Sequence, residues 1–383
     1  VIFSVEEMNR RLAAFREGLA ARQIDAAFLH TSDNVYYLSG VPLLSGWGRP
    51  MWMAVGSEDR VTLIGAMIEI ENMETYSRIT DIRAYDDSEN VWQASLQLVR
   101  DAIAGWGRAP AQIGVELSLM PISAHGAIQA AFPTASLVEV GDLLNEMRII
   151  KSAEELRLLR LGGDIARIGA SAFLEALSDN VTELAVAAHA VAQMDRALAA
   201  LYPQGGSSTY AYCQAGDHTL TPHLHPTGRR IHRGDLIGLN VFPVIWGYCM
   251  ELERTFVYGD ASAAQQRAIE AVNEAFTTCK ERLAPGVRMS DVDLLARDVL
   301  RRHGYERYIR HGTGHPHGIM IGAAGREESG ELRAYNANTL RAGMVNSVEP
   351  GVYLPDVGGF RHSDVMALTD DGAVCLTDFP IAF

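Results

Sequence analysis

The sequence predicts an α/β domain over residues 1–147 followed by an α+β domain over residues 148–383. Three observations carry that division. Up to about residue 140, short apolar runs alternate with stretches of helical period, the pattern of a sheet with helices packed on it. Beyond Arg148 the helical stripes are long and come in two pairs, with antiparallel strand patterns between and after them. The chain of 383 residues is 48% hydrophobic and 21% charged, enough to build two cores.

In the first part, Ser4 with Glu7 three residues on is a capping box, and Met8, Leu12, Phe15 and Leu19 give a helical stripe. Ala26 to His30 reads as a buried strand. Two more strands are expected near Met51–Val55 and Val61–Met67, after a loop through Gly46-Trp47-Gly48-Arg49-Pro50. Glycines permit tight excursions, so that loop either textures the surface or reaches into a pocket. A helix over Val91–Trp106, a strand over Ile113–Leu117, a short helix over Ala124–Ala131 and a strand over Ser136–Val140 complete the domain.

Arg148 to Ser152 reads as the joint, and a second capping box, Ser152 with Glu155, opens a helix to about Leu177. Another helix runs from Val181 to about Ala200, and a strand follows near Thr209–Gln214. Gly238 to Phe256 is an apolar hairpin turning at Gly247, interrupted by Asn240, Glu251, Glu253 and Arg254. Carboxylates in such a hairpin are costly unless paired or facing a ligand. A Glu253–Arg254 or Glu251–Arg254 ion pair is the structural reading, and an active-site floor is the functional one. Helices over Ala263–Leu283 and Ser290–Arg302 follow. Short strands and loops then fill Tyr308–Gly318, Met344–Tyr353 and Phe360–Leu368.

Charge and cysteine usage exclude several function classes. The net charge of −14, with no Lys/Arg-rich run, would repel a phosphate backbone, so no nucleic-acid partner is expected. No apolar run approaches membrane-spanning length and the start lacks a signal-peptide pattern, so no membrane partner is expected. Cys213, Cys249, Cys279 and Cys375 form no Cys-x-x-Cys, which argues against a thiolate zinc site and for a reducing, cytoplasmic location. Cys249 sits among carboxylates, which raise a thiol pKa, so it is read as packing.

Five groups in the second part point to chemistry: His223-Leu224-His225-Pro226, the Glu251/Glu253 pair, His311-Gly312-Thr313-Gly314-His315-Pro316-His317-Gly318, Gly325-Arg326-Glu327, and Ser347-Val348-Glu349-Pro350. A single histidine in a glycine-rich loop is commonly scaffold, and Arg326 alone would be a salt bridge. Together they supply the carboxylates, histidines and arginine of an acid–base site.

These residues and their order resemble the pita-bread family of creatinases, Xaa-Pro aminopeptidases, prolidases and methionine aminopeptidases. The likeness covers essentially the whole chain, including the Ile150-Lys151-Ser152-Ala153-Glu154-Glu155 entry and the Glu349-Pro350-Gly351 corner. It implies a pita-bread C-terminal catalytic domain behind a smaller creatinase-like N-terminal domain. The family's metallopeptidases hold two ions with two Asp, one His and two Glu. The matching positions are Asn240, Glu251, His315, Glu349 and Ser363, and Asn with Ser cannot supply the missing anionic oxygens. Glu251, His315 and Glu349 remain as a set for one ion.

That departure resembles the creatinase branch, which implies no cofactor and a metal-independent hydrolysis of a C–N bond in a nitrogen-rich carboxylic acid. The resemblance makes His223 the general base and acid, His315 a stabiliser of the intermediate, and Glu253 and Glu349 the holders of a substrate guanidinium or amidinium. Arg326 would bind the substrate carboxylate. Trp47 and Arg49 would reach the neighbouring site of a homodimer. Tyr248, Glu251 and His317 would line the pocket. Glu251 stands where this branch has a small apolar residue and His317 where it has Phe, so the substrate need not be creatine. An Xaa-Pro metallopeptidase and a non-catalytic small-ligand binding protein are the rival expectations.

Overall fold

In the computed structural model, residues 2–42, 49–57, 60–88, 90–107, 109–202, 206, 208–322 and 324–381 are described. The chain folds as two compact units, residues 1–148 with 319–326, and residues 149–318 with 327–383.

The first unit is built on a six-stranded sheet. Its strand order is Asp81–Tyr85, Val61–Ala66, Trp52–Gly56, Ala26–Leu29, Gln112–Val115 and Ser136–Glu139. Trp52–Gly56 runs antiparallel to both its neighbours, and the other pairings are parallel. Phe28, Trp52, Ile64, Ile113 and Val115 pack with Val99 and Ile103 of the Val91–Ala104 helix. Sequence periodicity missed the helices Ser32–Ser39, Ile70–Tyr76 and Gly141–Ile149 and the strand Asp81–Tyr85. The first helix is buried almost throughout even though Ser32, Asp33, Asn34 and Ser39 are polar, so no amphipathic stripe announces it.

A distant segment, residues 319–326, joins the first unit. The Asp33 carboxylate accepts the backbone N–H groups of Ile321, Gly322 and Ala324 at 2.9, 3.0 and 3.0 Å. The Arg148 guanidinium donates to the carbonyls of Ile319, Ala324 and Gly325 at 3.0, 2.6 and 3.1 Å. Both groups are buried, so charges belonging to the first unit satisfy these three N–H groups and three carbonyls.

In the second unit, helices Ala153–Ala176 and Glu183–Leu201 form one pair, and Ala263–Arg282 and Met289–Arg302 the other. One three-stranded sheet has the order Leu252–Val257, Leu236–Phe242, Tyr210–Ala215, and a second the order Val345–Val348, Asp364–Thr369, Gly372–Cys375. Both are antiparallel. A further hairpin, Gly351–Leu354 with Gly358–Arg361, packs against Ala268, Ala271 and Val272 through Val352 and Phe360. The expected turn at Gly247 is present, with φ of 49° at Trp246 and 76° at Gly247.

Candidate active site

Strand alternation sets the floor of the site. Tyr212, Asn240 and Glu253 occupy one row across three paired strands, and Glu253 bridges onward to Ser363 through reciprocal backbone bonds of 3.1 and 2.9 Å. Residues i and i+1 of a strand face opposite ways, so Arg254 turns away from Glu253. Its buried guanidinium pairs with Asp364 at 2.8 Å, and the Glu253–Arg254 pair does not form.

The partner of Glu253 is Arg361, at the end of the Gly358–Arg361 strand. Its Nη2 donates to Glu253 Oε1 and reaches Asn240 Oδ1 at 3.5 Å, and its Nη1 lies 3.8 Å from Glu349 Oε2. Burial works against the Arg361 charge, and Glu253, Tyr353 and Glu349 more than compensate, holding its pKa above the usual value. Burial likewise pushes Glu253 up to about 8, against the pull of Arg361 and with help from Glu251 and Glu349. Sequence reasoning missed Arg361. It lies two residues before Ser363, a spacing that in an extended chain puts both side chains on one face, and that was the available signal.

The wall is the His311–Gly318 segment, laid along the Val345–Val348 strand. Ser347 N–H donates to His315 O at 2.8 Å, His315 N–H donates to the Ser347 hydroxyl Oγ at 3.0 Å, His317 N–H donates to Val345 O at 2.8 Å, and Glu349 N–H donates to Thr313 O at 2.6 Å. The approach is close enough that a Cβ on Gly314 would meet Ser347 O at 2.0 Å, so this position demands glycine. The segment is thereby fixed with both imidazoles facing Glu251. His315 Nε2 lies 3.5 Å from Glu251 Oε2, and His317 Nε2 lies 3.6 Å from the same oxygen. Burial alone would raise the Glu251 carboxyl, and the two imidazoles beside it bring it well below the usual range. Its other oxygen accepts the Ser363 hydroxyl at 2.7 Å.

These positions divide the two-ion set. Asn240 Nδ2 donates to Tyr212 O at 3.2 Å and to Gln214 Oε1 at 3.1 Å. Gln214 in turn donates from Nε2 to Pro222 O at 2.9 Å and Leu224 O at 3.0 Å, clamping the loop on either side of His223. Asn240 therefore does a job that needs an N–H donor, which an ionised Asp lacks. With Ser363 neutral and the Arg361 guanidinium fixed beside Glu253 and Glu349, the residues present do not fit a two-ion centre. Glu251, His315 and His317 do offer donors to one ion: among the described residues they form a cluster whose ligand atoms lie within 4.8 Å of one another.

The other expected residues are placed as follows. Glu349 joins Glu251, Glu253, His315 and His317 in the second unit, its Oε1 3.7 Å from His315 Nε2. Tyr248 is buried there with its hydroxyl donating to Glu155 Oε1 at 2.9 Å, so it ties the hairpin to the Ala153–Ala176 helix. His223 is exposed on its clamped loop. Arg326 is exposed at the end of the segment held by Asp33 and Arg148. Arg49 pairs with Asp87 at 2.8 Å, and Trp47 lies outside the described residues. Cys249 is buried, and burial with Glu251 pushes its thiol up to about 12, as expected of a packing residue.

A model described as metallopeptidase family M24 matches residues 157–370, and one described as the creatinase/prolidase N-terminal domain matches residues 11–150. A creatinase of Bacillus sp. (strain B-0618) is 31% identical over 99% of this chain and 92% of its own length. An Xaa-Pro dipeptidase of Pyrococcus horikoshii is 27% identical over 97% of both chains. Among solved structures, a prolidase from Pyrococcus horikoshii OT3 has a TM-score of 0.83 at 25% identity, covering 97% of this chain and 99% of that one. A prolidase from Thermococcus sibiricus, at 24% identity, shares the fold with a TM-score of 0.85 over 100% of both.

Proposed function

We propose that this chain, which belongs to metallopeptidase family M24 and has its two-domain pita-bread fold, hydrolyses a C–N bond in a small carboxylic acid, with Xaa-Pro dipeptides the leading class. The observation that carries this is Arg361. Glu253 and Glu349 have their counter-cation inside the protein, so the pocket does not call for a cationic substrate to offset them. What remains is a carboxylate with two imidazoles. Lewis-acid activation of a carbonyl and of a water is the chemistry a divalent ion supplies at such donors. In this reading His223 carries the proton to the leaving nitrogen, and Arg326 grips the substrate carboxylate through its planar fork. The names of the dipeptidase and prolidase relatives support it.

The second reading is metal-independent, creatinase-like hydrolysis of a guanidino or amidino acid. Neutral Asn240 and Ser363 favour it, as does the 31% identity to a creatinase. There the substrate cation replaces Arg361 between Glu253 and Glu349. His223 takes a proton from the attacking water and returns it to the leaving nitrogen, and His315 stabilises the tetrahedral intermediate. In either reading Trp47 and Arg49 of the partner subunit complete the site across a homodimer.

Purified protein offered Xaa-Pro dipeptides, guanidino acids, ureido acids and cyclic amidines in parallel separates the readings. Release of free proline is expected, with His223→Ala abolishing turnover but sparing binding and Arg326→Ala chiefly weakening binding. Urea release from a guanidino acid without dipeptide cleavage would put the second reading first. Tight binding of one compound with no turnover of any would leave a binding protein.

A further inference from the structure

We infer that Glu251, His315 and His317 form a single-ion site for a divalent transition metal, in which His317 replaces the ligands that the two-ion centre takes from positions 240 and 363. The inference rests on the dipeptidase reading for what the ion does, and on the geometry alone for whether it binds.

Two ring orientations are fixed first. His315 Nδ1–H donates to Pro316 O at 3.0 Å, and His317 Nδ1–H donates to Cys249 O at 3.0 Å. Carbonyl oxygens only accept, so each ring carries a hydrogen on Nδ1, and in the neutral form that an ion requires its lone pair is at Nε2. Metal-ligating histidines are held in this way, their second nitrogen bonded to a carbonyl or carboxylate.

Those two lone pairs converge on one carboxylate oxygen. Donors about 2.1 Å from a tetrahedral ion stand about 3.4 Å apart, and the two Nε2–Oε2 separations here are 3.5 and 3.6 Å. Direct hydrogen bonds would draw such atoms in to about 2.7–3.2 Å. His317 is 1% exposed, and its Nε2 has no hydrogen-bond partner among the described residues. An imidazole nitrogen buried and unbonded, aimed at a carboxylate, is costly unless something lies between them.

The surroundings separate this site from a two-ion centre. Ser363 donates to the far oxygen of Glu251, orienting the carboxylate as an outer partner rather than binding the ion itself. Asn240 is committed to Gln214, and the Arg361 guanidinium stands where a second positive charge would have to sit. The donor set of two imidazoles and one carboxylate suits Zn2+, Fe2+ or Co2+ over Mg2+ or Ca2+. Glu251 and His317, two of the positions at which this chain departs from the resembled pattern, lie 3.6 Å apart.

The test uses the full chain stripped with chelator, then titrated with Co2+ and, separately, Zn2+. We expect one equivalent of Co2+ to produce visible d–d absorption that saturates at one ion per chain. His317→Phe, matched in volume, and Glu251→Gln should each weaken binding at least tenfold. Asn240→Ala should leave affinity within about threefold of the parent. Far-ultraviolet circular dichroism of each variant checks folding, and the parent titration stands without any variant. Absence of the band, or unchanged affinity in folded His317→Phe, overturns the inference. So does a stoichiometry of two that falls in Asn240→Ala. One ion bound without Xaa-Pro hydrolysis supports the site and removes the dipeptidase reading. Chelator-insensitive Xaa-Pro hydrolysis with no ion bound does the reverse.

Discussion

Arg254 and Arg361 show why a residue pair read from adjacency in sequence can be the wrong pair in space. Adjacent strand residues point to opposite faces, so Glu253 finds its cation 108 residues away. The carboxylates were legible because charges interrupting an apolar hairpin need an explanation, and Glu251, Glu253, His315, His317 and Glu349 do converge. Arg361 was legible only through its spacing from Ser363, and Gln214 not at all, since its significance depends on partners brought in by the fold. Asn240 is the sharper case. Its substitution for an acid reads as loss of a ligand, whereas the structure gives its amide a donor role toward Gln214. Asn240→Asp should therefore fail to rebuild a two-ion site. It places a carboxylate against Gln214 Oε1, and denaturant unfolding should show a loss of about 1–3 kcal/mol. Unchanged stability would mean that the Gln214 clamp on the His223 loop is not held through residue 240.

The elements carrying the site are short, and their rigidity comes from packing and pairing rather than length. The Gly351–Leu354/Gly358–Arg361 hairpin delivers Arg361, and the next residue, His362, shows how dry its surroundings are. Burial, then the charges of Arg254 and Lys280, push His362 down to about 3. Its Nδ1 accepts the Thr255 N–H at 3.4 Å, while its Nε2–H donates to Asn273 Oδ1 at 2.7 Å, so the neutral ring is satisfied and a second proton would meet a donor. The folded-state pKa is depressed below the unfolded value near 6.5. The stability tied to the neutral ring is therefore present above about pH 6.5 and is lost as pH falls toward 3. Unfolding of the parent at pH 7 and pH 5, compared with His362→Gln, should show a contribution of up to about 1.4 kcal/mol per pH unit that the variant lacks. Equal acid sensitivity in both chains would contradict it.

The elements also show where period-based reading stops. The long helices of the second unit were placed to within a few residues because their stripes are explicit and the capping box at Ser152 marks the first of them; the box at Ser262 went unread. The assignment of 319–326 to the first unit was invisible, because Asp33 and Arg148 act on backbone groups almost 300 and about 175 residues away. Backbone recognition leaves no side-chain pattern to find.

At the scale of the whole molecule, the proposed homodimer has a direct consequence. If Arg49 completes the site of the neighbouring chain, an Arg49→Ala chain and a Glu251→Gln chain are each inactive alone. Mixing them under subunit exchange should restore about a quarter of parental activity, since half of the dimers are mixed and one site in each is whole. No recovery would place Arg49 at its own chain's site, and an Arg49→Ala chain that is active alone would place it at no site. Family membership and the two-domain fold rest on the match of both family models, whereas the departure from the family lies in a handful of side chains. Those side chains make one ion, not two, the central claim. Anomalous diffraction from crystals grown with Zn2+ tests it most directly. A single peak about 2.1 Å from Glu251 Oε2 and from the Nε2 atoms of His315 and His317 is the predicted result. Two peaks about 3.5–4 Å apart, with Asn240 and Ser363 among their ligands, would contradict the account.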